Sequence, residues 1–306
     1  MQSLELEVSH PPLGATLFLP SQPRAAALIL QGSGVHDRDG AMTAFSFPST
    51  LYKRLARDLA ERCGLAVLRY DKRGARDTAD ALRDYSVASR LADAEAALMV
   101  LGGSPDLAGL PRFLVGHSEG AMLAARLAHS RPGMVDGVIS LAAPFGNVFE
   151  LNRFRARKLA QGRTPEVRAR GEAALDFYGK LEALFKSGRS LSPAEFRQFA
   201  LPWRDLGYSG WESYEWLRQH WQGVLDSDPT LEGLGILVVQ GGRDNRLWDD
   251  NVERWRQWCE VRPLASFLEL PDMGHDLNDA RRKAFVIHEE LVPAIARWLE
   301  NRAGRA

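Results

Sequence analysis

Residues 111–126 constrain this chain most. An apolar run, Phe113-Leu114-Val115, feeds Gly116-His117-Ser118-Glu119-Gly120, and the small-residue run Ala121-Met122-Leu123-Ala124-Ala125-Arg126 follows. The pattern predicts a strand, a tight turn and a helix. A serine in so sharp a turn takes up a strained backbone, and flanking glycines let strand and helix pass closely. The Ser118 hydroxyl then stands at the C-terminal edge of a sheet and at a helix N-terminus, where N–H groups and the helix dipole stabilise developing negative charge. Ser118 is therefore a candidate nucleophile on a G-x-S-x-G elbow.

The flanking sequence repeats the same alternation. Leu4-Glu5-Leu6-Glu7-Val8 has period two, and Ala15-Thr16-Leu17-Phe18-Leu19 follows it, as in an edge hairpin. Ala25-Ala26-Ala27-Leu28-Ile29-Leu30 is continuously apolar, as a strand covered on both faces must be, and it ends in a glycine-rich loop, residues 31–40. A helix over residues 48–62, a strand over 65–70, a helix over 86–101, the elbow, and a strand over 135–141 come next. Successive βα units of this kind predict an α/β fold with a mostly parallel, doubly wound sheet and active groups at the strands' C-terminal ends. The sheet resumes at residues 235–240 and 265–270. A closing helix is expected over 279–300, kinked or split at Pro293.

Between residues 146 and 234 strands vanish and helical spacing dominates, as in Ala174, Tyr178, Leu181 and Phe185. The expected organisation is a catalytic domain, 1–145 and 235–306, interrupted by a mobile helical cap, 146–234. Ser192-Pro193-Ala194-Glu195 reads as a capped helix start. Four of the eight tryptophans fall between Trp203 and Trp221. Such a stretch either lines a pocket, with Trp203 and Trp211 as substrate-binding candidates, or forms an aromatic mini-core of the insertion.

Acyl transfer by serine needs a base for the hydroxyl proton, an acid to hold that base in one tautomer, and donors for the oxyanion. Asp244 and His275 each follow one of the last two strands, and the chain order Ser118, Asp244, His275 is that of an α/β-hydrolase. Asp249 and Asp250 fit the start of the next helix, and Asp272 lies too near His275 in sequence to reach around its ring. His117, adjacent to the nucleophile, must point the other way and is expected to be structural. The oxyanion donors are expected to be the backbone N–H groups of Glu119 and Ser33, with Gly32 and Gly34 bending the loop close to substrate. The Glu119 side chain reads as a helix N-terminal charge. The clusters Asp37-Arg38-Asp39 and Asp71-Lys72-Arg73 are expected to staple two loops by salt bridges.

Composition removes other classes. Acidic and basic residues balance at 39 each, so no electrostatic footprint for nucleic acid or an anionic membrane is present, and the expected partner is a small ester or thioester. The oligomeric state stays open. Cys63 and Cys259 show no C-x-x-C or metal spacing, and no stretch is apolar enough to span a bilayer, so two free thiols in a cytoplasmic protein are expected. No metal set or nucleotide cradle is visible, and no cofactor is expected.

The loop Gly32-Ser33-Gly34 with Asp37-Arg38-Asp39-Gly40, the strand end Tyr70-Asp71-Lys72-Arg73-Gly74 and the elbow Gly116-His117-Ser118-Glu119-Gly120 together resemble the serine α/β-hydrolases, in particular bacterial esterase-like members. Gln31 stands where such loops often carry histidine. The resemblance implies an α/β-hydrolase fold and hydrolysis of carboxylic esters, with thioester cleavage or acyl transfer as neighbouring chemistries. A ligand-binding protein on the same scaffold is the rival from another class.

Overall fold

The computed structural model describes all residues except 9–11, 44–45, 76–84, 205–209, 211, 226–230, 232 and 304–306. Strands β1 (Gln2–Val8) and β2 (Leu13–Leu19) pair antiparallel from Gln2↔Leu19 to Val8↔Leu13, and β1 alternates between exposed residues and half-buried Leu4 and Leu6, ending on buried Val8, as its period-two sequence dictates. The apolar strands β3 (Ala25–Leu30), β4 (Leu65–Tyr70), β6 (Gly137–Leu141) and β7 (Gly235–Gly241) are buried along their whole length. With β5 (Arg112–His117) and β8 (Ala265–Leu270) they complete one sheet in the order β1-β2-β4-β3-β5-β6-β7-β8. From β4 to β8 every neighbouring pair is parallel.

The chain steps from β3 outward to β4 and then returns past β3 to β5. The strand order therefore reverses between β3 and β5, and their C-terminal loops open a crevice there. Leu30 is in register with Gly116, so residues 31–34 emerge beside the elbow.

Helices cover both faces. On one, α1 (Leu51–Cys63) turns Leu51, Leu55 and Leu59 inward, against Ile295 and Trp298 of the C-terminal helix α9 (Leu291–Ala303). On the other lie α2 (Val87–Gly102), α3 (Glu119–Ser130) and α8 (Asn251–Glu260). Between β6 and β7 come α4 (Val148–Ala160), α5 (Pro165–Lys186), α6 (Pro193–Ala200) and α7 (Tyr214–Trp221). The α6 start carries the expected capping box, Ser192 and Glu195 bonding reciprocally.

The closing helix is shorter than its sequence pattern predicts. It begins at Leu291, and residues 279–290 instead form turns tied back by the bridge Asn278↔Ile287. Pro293 is the reason: in the first turn of a helix its missing N–H costs nothing, so it marks a start rather than a kink. Among the described residues no helix is long and apolar enough to cross a membrane.

Candidate active site

Ser118 sits between β5 and α3 with φ 55° and ψ −125°, a conformation costly for a residue with a side chain. The surrounding glycines are obligatory. A Cβ on Gly116 would lie 2.3 Å from Cα of Ala121, and one on Gly120 would lie 2.0 Å from the Leu30 carbonyl oxygen. These close approaches fix the turn, which leaves the Ser118 side chain at the crevice between β3 and β5.

The loops after β7 and β8 bring two further groups to it. Nε2 of His275 lies 3.1 Å from Oγ of Ser118, and Nδ1 of the same ring lies 2.7 Å from Oδ2 of Asp244. Asp244 is itself held, its Oδ1 accepting from the Arg246 amide at 2.9 Å. The competing carboxylates are engaged elsewhere: Asp249 with Lys158, Asp250 with Arg254, and Asp272 with Arg243. A hydroxyl, an imidazole and a carboxylate in this line can pass a proton from serine to histidine while the carboxylate fixes the ring.

Gly32 brings the β3 loop against the serine, since a Cβ there would lie 3.2 Å from Cβ of Ser118. Its N–H donates to Tyr52 Oη at 2.8 Å, while Ser33 Oγ donates to Glu119 Oε2 at 2.6 Å. Gly34 carries φ +103°, a left-handed turn that glycine adopts freely. Lys72, fully enclosed, donates to the Gly32 carbonyl and, at 2.8 Å, to that of Gly34, pinning the loop from below. Burial and the nearby Arg90 push the Lys72 ammonium well below its usual range. The loop-to-loop staple foreseen between the charge clusters is present: Arg38 holds both oxygens of Asp71, at 3.1 and 2.9 Å.

A cavity of about 560 Å3 opens over these groups, lined by Gly32, Ser33, Ser118 and His275 and walled in part by Arg155 of α4. Trp203 is not among its lining residues. Its ring packs on Phe177 and Phe199 and its Nε1 donates to Asp176 at 3.0 Å, so it belongs to an aromatic core shared by α5 and α6. The other candidate, Trp211, lies outside the described residues. A second, apolar cavity of about 220 Å3, between Met122, Phe145, Trp255 and Trp258, does not include Ser118 in its lining.

Residues 28–288 match the model of the alpha/beta hydrolase family. The chain belongs to this family. No curated protein matches it in sequence. Among solved structures it resembles an esterase of Pyrococcus furiosus, with 13% identity, a TM-score of 0.57 and coverage of 98% of this chain and 92% of that one. It also resembles the esterase Est1E of Butyrivibrio proteoclasticus, at 15% identity and a TM-score of 0.54 over 98% and 99% of the two chains. A proline iminopeptidase-related protein of Thermus thermophilus is similar at 20% identity and a TM-score of 0.57, with 98% of each chain covered. At such identities these likenesses establish a shared fold.

In this alpha/beta hydrolase the Glu119 carboxylate is more than the helix N-terminal charge its sequence position indicates. It is 1% exposed and collects Arg90 at 2.5 Å, Trp216 Nε1 at 2.9 Å and His220 Nε2 at 3.0 Å, besides Ser33. Burial alone would push its carboxyl up, but Arg90, the His220 bond and Lys72 outweigh that and hold it well below the usual carboxylate range. Arg90 also donates to the Gln31 carbonyl at 3.0 Å.

A second relay runs behind the serine. Gly32 N–H donates to Tyr52 Oη, Tyr52 Oη lies 3.0 Å from His117 Nδ1, and His117 Nε2 lies 2.8 Å from the His275 carbonyl oxygen. A neutral His117, donating from Nε2 and accepting at Nδ1, satisfies every partner. Burial, and then the neighbouring His275, push it down to about 4. The structural role expected for His117 thus joins the β3 loop to the β8 loop. Arg90 was detectable in the sequence as a charge on the face that also carries Ala94, Ala97 and Leu101. Tyr52 and His220 give no such signal, because each reads as one more polar-tipped ring on an amphipathic helix.

Proposed function

We propose that the chain is a serine hydrolase that cleaves carboxylic esters through an acyl-enzyme. Ser118 is the nucleophile, His275 the general base and then general acid, and Asp244 orients the imidazole. The observation that carries this reading is the hydrogen-bond line from Ser118 Oγ through both nitrogens of His275 to Asp244, at 3.1 and 2.7 Å, on a strained elbow.

Ser118 Oγ attacks the ester carbonyl as its proton passes to His275 Nε2, and Asp244 stabilises the imidazolium that forms. The oxyanion is received by the N–H groups of Ser33 and Glu119. Ser33 is favoured over Gly32 because the Gly32 N–H already donates to Tyr52. Collapse expels the alcohol, which takes the proton from His275, and water then attacks the acyl-enzyme by the same base, releasing acid and free Ser118. The helical segment 146–234 acts as a cap, a reading supported by Arg155 of α4 in the cavity wall.

The test is kcat/KM on p-nitrophenyl esters of increasing acyl length. Ser118→Ala is expected to lose at least ~10⁴-fold on every ester. Retained wild-type rates would overturn the assignment.

A further inference from the structure

On α4, Arg155 differs from Arg153 and Lys158. Arg153 pairs with Glu150 and Glu182, and Lys158 pairs with Asp249. Among the described residues no carboxylate forms an ion pair with Arg155. Its Nε donates to the Arg246 carbonyl at 2.5 Å and its Nη1 to Asn152 Oδ1 at 3.2 Å, both neutral acceptors. Asp244 is the carboxylate whose charge it feels, but both Asp244 oxygens are taken, by His275 and by the Arg246 amide. Burial pushes the Arg155 guanidinium below its ordinary range. Arg155 is half-buried, so its guanidinium has lost part of its hydration without gaining a counter-ion, and an anion entering the cavity would supply that charge.

The rest of the cavity points the same way. Arg54, Arg155 and Arg246 line it, against Asp276 as the carboxylate among its described lining residues. Asp276 is matched by Arg246, at 3.1 Å. The described lining thus carries three guanidinium groups against one carboxylate, in a chain whose acidic and basic residues balance.

We propose that the ester cleaved at Ser118 carries a carboxylate, which Arg155 binds within the cavity. This rests on the serine hydrolase reading and adds the substrate class. Arg155 is a specificity residue: its planar fork offers the geometry that a carboxylate accepts, and binding supplies the missing counter-charge.

The carboxylate can belong to the acyl or to the alcohol half, and two matched pairs separate these. Ethyl hydrogen adipate against ethyl adipamate places the charge on the acyl side, and 4-acetoxybutanoate against 4-acetoxybutanamide places it on the alcohol side. Rates are followed by pH-stat, with thermal denaturation as the check of folding. In at least one pair kcat/KM should favour the carboxylate by about tenfold or more, as one charge-assisted pair gives. Arg155→Gln should bring that ratio near unity, and Arg155→Lys should restore part of it. Ratios near unity in both wild-type pairs, or a preference that survives Arg155→Gln, would overturn the proposal. Calorimetric binding to Ser118→Ala reads the same preference without turnover. Carboxylate-dependent binding with no hydrolysis of any ester by the wild type upholds the anion site and refutes the hydrolase reading. Ester cleavage in all four compounds at equal rates, with no carboxylate preference, does the reverse.

Discussion

Nε2 of His220, on α7, donates to Oε1 of Glu119, on the first turn of α3, at 3.0 Å, although 101 residues separate the two. This bond ties the helical segment between β6 and β7 to the residue after Ser118. Trp216 reinforces it from the same helix, and Arg90 supplies the counter-charge from α2.

Removing that counter-charge should be severe. Arg90→Met leaves a buried carboxylate without its main partner, and a loss of about 3–5 kcal/mol in unfolding free energy is expected. Because the Glu119 N–H is the proposed oxyanion donor, kcat should fall by more than KM rises. Urea unfolding and steady-state kinetics on the same variant check both. A variant as stable as the wild type would mean that Glu119 does not depend on Arg90 to stay ionised.

Acid should destabilise the fold through His117. Its folded-state pKa is about 4, against about 6.5 in an unfolded chain. Between these values the unfolded chain binds the additional proton, so this contribution is complete above about pH 6.5 and declines as pH falls toward about 4. The urea midpoint should therefore drop from pH 7.5 to pH 5, and His117→Asn should reduce that dependence, leaving the part due to His36, which burial pushes down to about 3. An unchanged slope in the variant would assign the acid sensitivity to other groups.

Trp203→Ala should act on stability and not on selectivity. The ring is 8% exposed in the core between α5 and α6, and a truncation of this kind costs about 3–5 kcal/mol. Profiles of kcat/KM against acyl length, measured well below the melting temperature, should keep their shape. A shifted length optimum would place this tryptophan in contact with substrate.

The sheet and the elbow were legible because each rests on a local rule. Continuous apolar runs became strands buried on both faces, and two glycines around a serine became a turn that tolerates no Cβ at either position. The meeting of Ser118, Asp244 and His275 was legible one level up, since each follows a strand and parallel topology brings strand ends to one edge. Contacts between distant elements were not. Nothing local distinguishes Trp216 and His220, which reach Glu119, from Trp203, which reaches Phe177 and Phe199, because all three lie on short aromatic segments. The helical start at Leu291 is hidden for a different reason: apolar spacing continues through residues 279–290, while the backbone there pairs in bridges that periodicity does not encode.

On this elbow, with His275 at hydrogen-bond distance, Ser118 is expected to react as an activated nucleophile. The most direct measurement is intact mass after incubation with a fluorophosphonate, followed by peptide mapping. One adduct per chain, on Ser118, is expected for the wild type, with labelling slowed by orders of magnitude in His275→Ala and absent in Ser118→Ala. A wild-type protein that stays unmodified, or that is labelled as fast without His275, would contradict it.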